Sequence, residues 1–166
     1  MRIFIVGPMA SGKSTLGKKL ASKLNIDFLD TDREIEKKAG ADVSWIFEME
    51  GEKGFRKREK STLQESVKKD NIVIATGGGI ITTKENRDLI NSTGKVIYLK
   101  TSIELQLSRT KNDTKRPLLS KGNKEEVIRS LKKERDPQYE EGADITINLD
   151  NQKKRNVVIE EIMEKL

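Results

Sequence analysis

Apolar positions along the chain fall into short unbroken runs and four-residue periodicities that alternate with one another. Ile3-Phe4-Ile5-Val6 is such a run, ending at Gly7, and has the pattern of a buried strand. Leu16, Leu20 and Leu24 then recur every four residues, which predicts an amphipathic helix of about three turns. Phe28-Leu29 leads into Asp30-Thr31-Asp32, and Ile35 and Ala39 belong to the helical stretch that follows. Residues 43–67 read as strongly charged helix, with breaks expected at Gly51 and Gly54. Ile72-Val73-Ile74-Ala75 is the clearest second strand and runs straight into Gly77-Gly78-Gly79.

Val96-Ile97-Tyr98-Leu99 is a further strand. The next segment points both ways, because Ile103, Leu105 and Leu107 alternate as in a strand. Thr101-Ser102 can cap a helix, and Glu104 and Gln106 suit one, so a helix is predicted. Residues 110–121 form a polar loop containing Pro117. A helical stretch over 125–133 gives way to a strand over 145–149. Val158, Ile159, Ile162 and Leu166 then mark a terminal amphipathic helix. Strands alternating with helices predict an α/β fold with a central parallel sheet covered on both faces. No repeat, low-complexity tract or linker divides residues 1–166, so one domain is expected.

Composition narrows the chemistry. At 166 residues the chain is long enough for a hydrophobic core, and 36% charged residues argue against a membrane protein. No apolar run approaches the ~18 residues of a membrane span, and the N-terminal run is short of the about 7–15 of a signal-peptide core. Zero cysteines exclude disulfides, and a cytoplasmic location is the expectation. Zero histidines exclude a Ser-His-Asp triad, a histidine-ligated zinc and an imidazole base. Acid–base work therefore falls to carboxylates or lysines, and any metal must take oxygen ligands. The net charge of +6 suits anionic ligands and equally suits plain solubility.

Gly7-Pro8-Met9-Ala10-Ser11-Gly12-Lys13-Ser14 matches G-x-x-x-x-G-K-[ST] in full, with a strand before it and a helix after. Glycines let consecutive backbone N–H groups turn inward around a β-phosphate, and the helix offers its positive end to the same group. Lys13 would reach the β- and γ-phosphates, and the Ser14 hydroxyl would ligate Mg²⁺. A chance glycine-rich turn is the bland alternative; the complete motif in the right context outweighs it.

Parallel strands share one carboxyl edge, where open α/β sheets bind ligands. Residues 7–14, 30–32 and 77–79 all follow strands and should meet there, although up to 72 positions apart. Of Asp30 and Asp32, one can hold Mg²⁺ through water and the other accept a proton from a substrate hydroxyl. The competing reading is a helix N-cap at Thr31 or Asp32. Gly77-Gly78-Gly79 suits a ligand lying against backbone, or merely a tight turn. No aspartate follows that strand, which leaves Mg²⁺ to Ser14 and Asp30. Arg56, Arg109, Arg116 and Arg135 lie outside regular charge runs or beside structure breakers. Each alone reads as a solvated charge, yet Arg116 in its loop fits a lid closing over phosphates.

Taken in order, these elements resemble the shikimate kinase family. The resemblance is carried by residues 7–14, Asp30-Thr31-Asp32, Gly51-Glu52 with Phe55-Arg56 and Glu59, Gly77-Gly78-Gly79, Arg109-Thr110, Arg116-Pro117-Leu118-Leu119, and Arg135 with Tyr139. It implies a P-loop kinase fold with a five-stranded parallel sheet, acceptor-binding helices over about 31–60 and a lid over about 110–121. It implies ATP-dependent phosphorylation of the 3-hydroxyl of shikimate, with ATP and Mg²⁺ as cofactors, by a monomer without nucleic-acid or membrane partners. By resemblance, Lys13 and Ser14 contact phosphate and Mg²⁺, with Gly7, Ala10, Ser11, Gly12 and Thr15 completing the nucleotide loop. The resemblance implies that Asp30 helps hold the metal, and that Asp32 contacts the shikimate hydroxyls and serves as base. Arg56 and Arg135 grip the shikimate carboxylate beside Gly77, Gly78 and Gly79. Arg116 is the lid arginine, catalytic together with Lys13 and Asp32, and Arg109 packs on adenine. Ala10 departs from the family's usual glycine, and its methyl narrows the loop.

Other classes fit less well. A gluconate or nucleoside monophosphate kinase would share loop and lid, but the set Arg56, Gly77-Gly78-Gly79 and Arg135 favours shikimate. Thr110-Lys111-Asn112-Asp113 imitates a guanine-selective motif, yet it follows Ser108-Arg109 rather than a buried strand, and no Asp-x-x-Gly occurs. A nucleic-acid-binding ATPase would want a basic stacking platform, which seven scattered aromatics do not make.

Overall fold

Five short strands carry the apolar runs: β1 (Arg2–Val6), β2 (Asp27–Asp30), β3 (Ile72–Ala75), β4 (Lys95–Lys100) and β5 (Ile145–Asn148). A computed structural model of the chain describes residues 1–112, 116, 119, 123–150 and 153–166. The strands pair in the order β2-β3-β1-β4-β5, and each pair is parallel. Register places Ile3 beside Val73 and Ile5 beside Ala75. Across the other side of β1, Ile5 pairs with Ile97 and Val6 with Tyr98. β3, inside the sheet, is buried at every position, whereas β5 at its edge alternates buried and exposed. That contrast follows from burial on both faces in the middle and on fewer sides at the rim.

Because successive strand side chains point to opposite faces, β1 feeds two cores. Ile3 and Ile5 pack with Leu16 and Leu20 of α1 (Lys13–Leu24) and with Val158, Ile159 and Ile162 of α7 (Arg155–Lys165). Phe4 and Val6 face the other way. They join Leu63 of α3 (Val43–Ser66), Ile90 of α4 (Lys84–Thr93) and Tyr139 of α6 (Lys124–Gly142). Each fully buried aliphatic or aromatic side chain of this kind contributes about 1.5–3 kcal/mol relative to exposure. A third, smaller core of Ile35, Ile46 and Phe55 joins α2 (Thr31–Ala39) to α3, outside the sheet layers.

Gly51 interrupts α3 with φ 72 and ψ 176, values that favour glycine, while Gly54 stays helical. The break expected at Gly54 is therefore absent: a Gly inside a helix costs about 0.5–1 kcal/mol relative to Ala, which neighbouring packing at Phe55 overcomes. α5 (Ile103–Thr110) is a helix, with the Ser102 side chain accepting from Leu105 N at 3.1 Å. The helix expected to end at 133 runs on to Gly142 through Pro137, held by buried Arg135 and Tyr139. α4 had no periodic signature, since one buried position on its inner face is Asn86, donating to Ile80 O at 3.0 Å. No helix among the described residues is long and apolar enough to cross a membrane.

Candidate active site

The loop between β1 and α1 is wound tightly enough to occupy its own lysine. Lys13 Nζ donates to Gly7 O at 2.8 Å and Pro8 O at 2.7 Å, and lies 3.4 Å from Ser11 Oγ. Gly12, at φ 87, precedes α1 without any side-chain cap, which leaves the first helical amides available to an anion. Ala10 also adopts a left-handed backbone, φ 63, a region where a methyl is strained. Burial lowers Lys13 to a pKa of about 8, with Asp32 opposing the fall and Arg116 assisting it.

β2 delivers the paired aspartates to the same edge. Asp30 Oδ1 accepts from Asp32 N at 3.0 Å and Arg33 N at 3.2 Å, so Asp30 is the N-cap of α2. The cap expected at Thr31 or Asp32 thus falls earlier, at Asp30, because the chain is still extended there. The other oxygen, Oδ2, accepts from Ser14 Oγ, so one carboxylate serves both cap and loop. Thr31 turns inward instead, its Oγ1 accepting from Gly77 N at 3.1 Å.

Asp32 and Glu59 converge over Gly77. A Cβ on that glycine would stand 2.7 Å from Asp32 Oδ1 and 3.0 Å from Glu59 Oε2. Neither oxygen has a hydrogen-bond partner among the described residues. Burial raises Asp32 to about 7; the like charges of Glu59 and Asp30 add to this and Lys13 opposes it. Burial also raises Glu59, against the pull of Arg56, whose Nη1 donates to Glu59 Oε1 at 2.9 Å. Arg56 reaches Glu52 as well, at 3.4 Å, and a side chain on Gly79 would run into its guanidinium.

From the far side, α6 brings Arg135, buried, to 3.5 Å from where a Cβ on Gly78 would lie. α5 brings Arg109, whose Nη1 donates to Ala10 O at 2.8 Å. Burial, then the Arg155 charge, lowers the Arg109 pKa. These groups line one cavity of about 640 Å³, within the 300–1,000 Å³ common for small-molecule sites. Its wall takes in the loop from Ala10 to Thr15, Asp30, Asp32, Arg56, the three glycines 77–79, Arg109, Arg116 and Arg135. Gly7 stands behind the wall and contributes a carbonyl to Lys13. Of the lid expected over 110–121, residues 113–115, 117–118 and 120–121 lie outside the described residues.

Glu59 carries no distinct signal of a role in the sequence. Its signal was an acid three positions after Arg56 on a helix, too common a pattern to stand out. Tyr139, one turn after Arg135, likewise carries no distinct signal in the sequence. Arg155, Leu149 and Val158 border the cavity too.

Ser14 and Asp30 together offer one hydroxyl and one carboxylate oxygen side by side. That set fits Mg²⁺, which takes one or two side chains and completes its shell with phosphate oxygens and water. No group of three or more His, Cys, Asp or Glu side chains suited to a metal occurs among the described residues.

The class to which this arrangement belongs is that of the P-loop kinases. A solved deoxyadenosine kinase from M. mycoides with bound dATP has the same fold at a TM-score of 0.66, with 21% identity over 99% of this chain and 98% of that one. Nearer likenesses are more particular. A shikimate kinase of Vibrio parahaemolyticus is 50% identical over 164 residues, covering 99% of this chain and 95% of the relative. The structure of a shikimate kinase from Acinetobacter baumannii in complex with shikimate superposes at a TM-score of 0.95, with 48% identity over 98% of this chain and 90% of that one. The shikimate kinase family model matches residues 9–166, and the chain belongs to that family of small-molecule kinases.

Proposed function

We propose that the protein transfers the γ-phosphoryl group of ATP to the 3-hydroxyl of shikimate, in the route to aromatic amino acids. The single observation that carries this reading is that Lys13 and Asp32 open into one cavity whose wall also holds Arg56, Arg116 and Arg135. A triphosphate needs the lysine and the amide-lined loop; an acceptor that is itself an anion accounts for arginines beyond those that serve the nucleotide.

In this reading the loop from Gly7 to Thr15 cradles the phosphates, and Lys13 leaves its own carbonyls to contact the β- and γ-phosphates. Arg109 packs on adenine. Arg56 and Arg135 hold the acceptor carboxylate, and the backbone at 77–79 lies along the ring. Asp32 receives the hydroxyl proton as the new O–P bond forms and the bond from the γ-phosphorus to the β,γ-bridging oxygen breaks, releasing ADP. Its Oδ1, without a hydrogen-bond partner among the described residues, supports that role. Ser14 and Asp30 would hold Mg²⁺, which when bound neutralises charge on the phosphates. Arg116 closes over the transferring group from a lid spanning about 110–121. Helices over about 31–60 form the acceptor side of a single domain spanning 1–166. The same reading has the enzyme act as a cytoplasmic monomer on a small molecule, without nucleic-acid or membrane partners, and the lack of cysteine agrees with a reducing compartment.

The test is ADP release with shikimate, gluconate and nucleoside monophosphates as separate acceptors. Turnover on shikimate alone is expected; turnover confined to another acceptor defeats the reading.

A further inference from the structure

Tyr139 is buried on α6, one helical turn beyond Arg135, and its ring stacks on Tyr98 of β4 at 5.1 Å and 22°. Its hydroxyl donates to the carbonyl oxygen of Gly78. Gly78 lies between the end of β3 and the short 3₁₀ turn Ile80–Thr82, and it has no side chain to hold it in place. It is nevertheless where three parts of the site touch. A Cβ there would be 3.5 Å from Arg135 Nη1, 3.6 Å from Gly7 O and 3.6 Å from Met9 N.

We propose that Tyr139 is a positioning residue for the acceptor site, fixing the Gly78–Gly79 peptide against which Arg135 rests. The peptide plane explains how one hydroxyl can do this. In a trans peptide the C=O and the following N–H point in opposite directions, and no peptide bond in the described chain is cis. With the Gly78 carbonyl held toward α6, the Gly79 N–H is turned away from it. Glycine lets that plane rotate at little steric cost, so its orientation depends on the bond that Tyr139 makes. Burial raises the Tyr139 pKa, which keeps the group a neutral donor throughout the working range. The hydroxyl therefore acts on substrate indirectly, through the Gly78 carbonyl and through the Arg135 side chain that faces it.

This inference rests on the acceptor grip proposed for Arg135. Tyr139→Phe keeps the ring and its stack and removes the hydroxyl, with its bond to Gly78 and its contact to Arg135; Tyr98→Phe removes a hydroxyl from the same stack that makes no bond to the glycine loop. Steady-state kinetics would vary each substrate, and calorimetry would follow a non-hydrolysable ATP analogue binding without acceptor. Tyr139→Phe should raise the acceptor KM by about tenfold, the effect of leaving one buried carbonyl unpaired. Its affinity for the nucleotide analogue should stay within about twofold, and Tyr98→Phe should change neither quantity. An unchanged acceptor KM in folded Tyr139→Phe, or equal losses in both variants or for both substrates, would overturn the proposal. Failure of the unmodified chain to phosphorylate shikimate would instead strike at the function beneath it.

Discussion

Ser14 and Asp30 are hydrogen-bonded to each other across the gap between α1 and β2, and the same Asp30 caps α2 through the amides of Asp32 and Arg33. One carboxylate thus has a structural duty and a proposed metal duty that substitution can separate. Asparagine caps helices as well as aspartate does, whereas alanine does not. Asp30→Asn should keep its thermal stability, and Asp30→Ala should lose about 0.5–2 kcal/mol. Both should need more Mg²⁺ for half-maximal activity, measured by titrating the metal at fixed ATP.

The environment of Asp32 makes opposite demands on folding and on chemistry. Its pKa in the fold is about 7 against an ordinary 3.8, so its contribution to stability is whole below pH 3.8 and is lost as pH rises through 7. Asp32→Asn cannot ionise. Ligand-free melts should therefore show the variant gaining on the parent as pH rises from 4 to 7, with no further gain above. Its turnover should fall by about 10²–10⁴ while ATP binding persists. In the parent, kcat/KM for the acceptor should decline below about pH 7 as Asp32, the proposed base, takes up its proton.

Arg56 and Glu59 form a pair in which Glu59 is fully buried. Removing the arginine alone strands a carboxylate, at a cost of about 3–5 kcal/mol when such a charge is left unpaired. Arg56→Ala should consequently melt early as well as bind the acceptor poorly. Adding Glu59→Gln should restore much of the stability without restoring the acceptor KM. Arg135→Ala should raise that KM by the equivalent of about 2–5 kcal/mol, with far less effect on the KM for ATP.

Ala10 holds a left-handed conformation at φ 63 in the middle of the phosphate loop. Ala10→Gly removes strain of about 1–2 kcal/mol, partly offset by the greater freedom glycine gives the unfolded chain. A rise in melting temperature of about 2–4 °C per kcal/mol gained is expected by calorimetry, with ATP affinity preserved.

The parts of this molecule written in local pattern were legible beforehand. The run at β1, the motif behind it and the periodic leucines of α1 each follow from neighbours in sequence, and so does the Ser102 cap that settled α5 as a helix. Elements secured by distant contacts were not. α4 presents a buried asparagine instead of an apolar stripe, and α6 passes through Pro137 because Arg135 and Tyr139 anchor it to the sheet. Within the site, the three loops on one edge were foreseeable from parallel topology. The cap at Asp30 and the convergence of Glu59 on Asp32 were not, since both depend on where the chain turns in space.

The order of the sheet inserts β3 between β1 and β2. Neighbouring strands are about 4.8 Å apart, so the backbones that end in the phosphate loop and in the aspartates are separated by about 10 Å. Past the end of the intervening strand the chain runs through three residues without side chains, and Asp32, Glu59, Arg56 and Arg135 close in on the space this leaves. New acceptor preferences could be grafted onto α2 and α3, which lie off the sheet. Any bulk added at 77–79 would collide with these side chains, so that segment must resist change whatever the acceptor becomes.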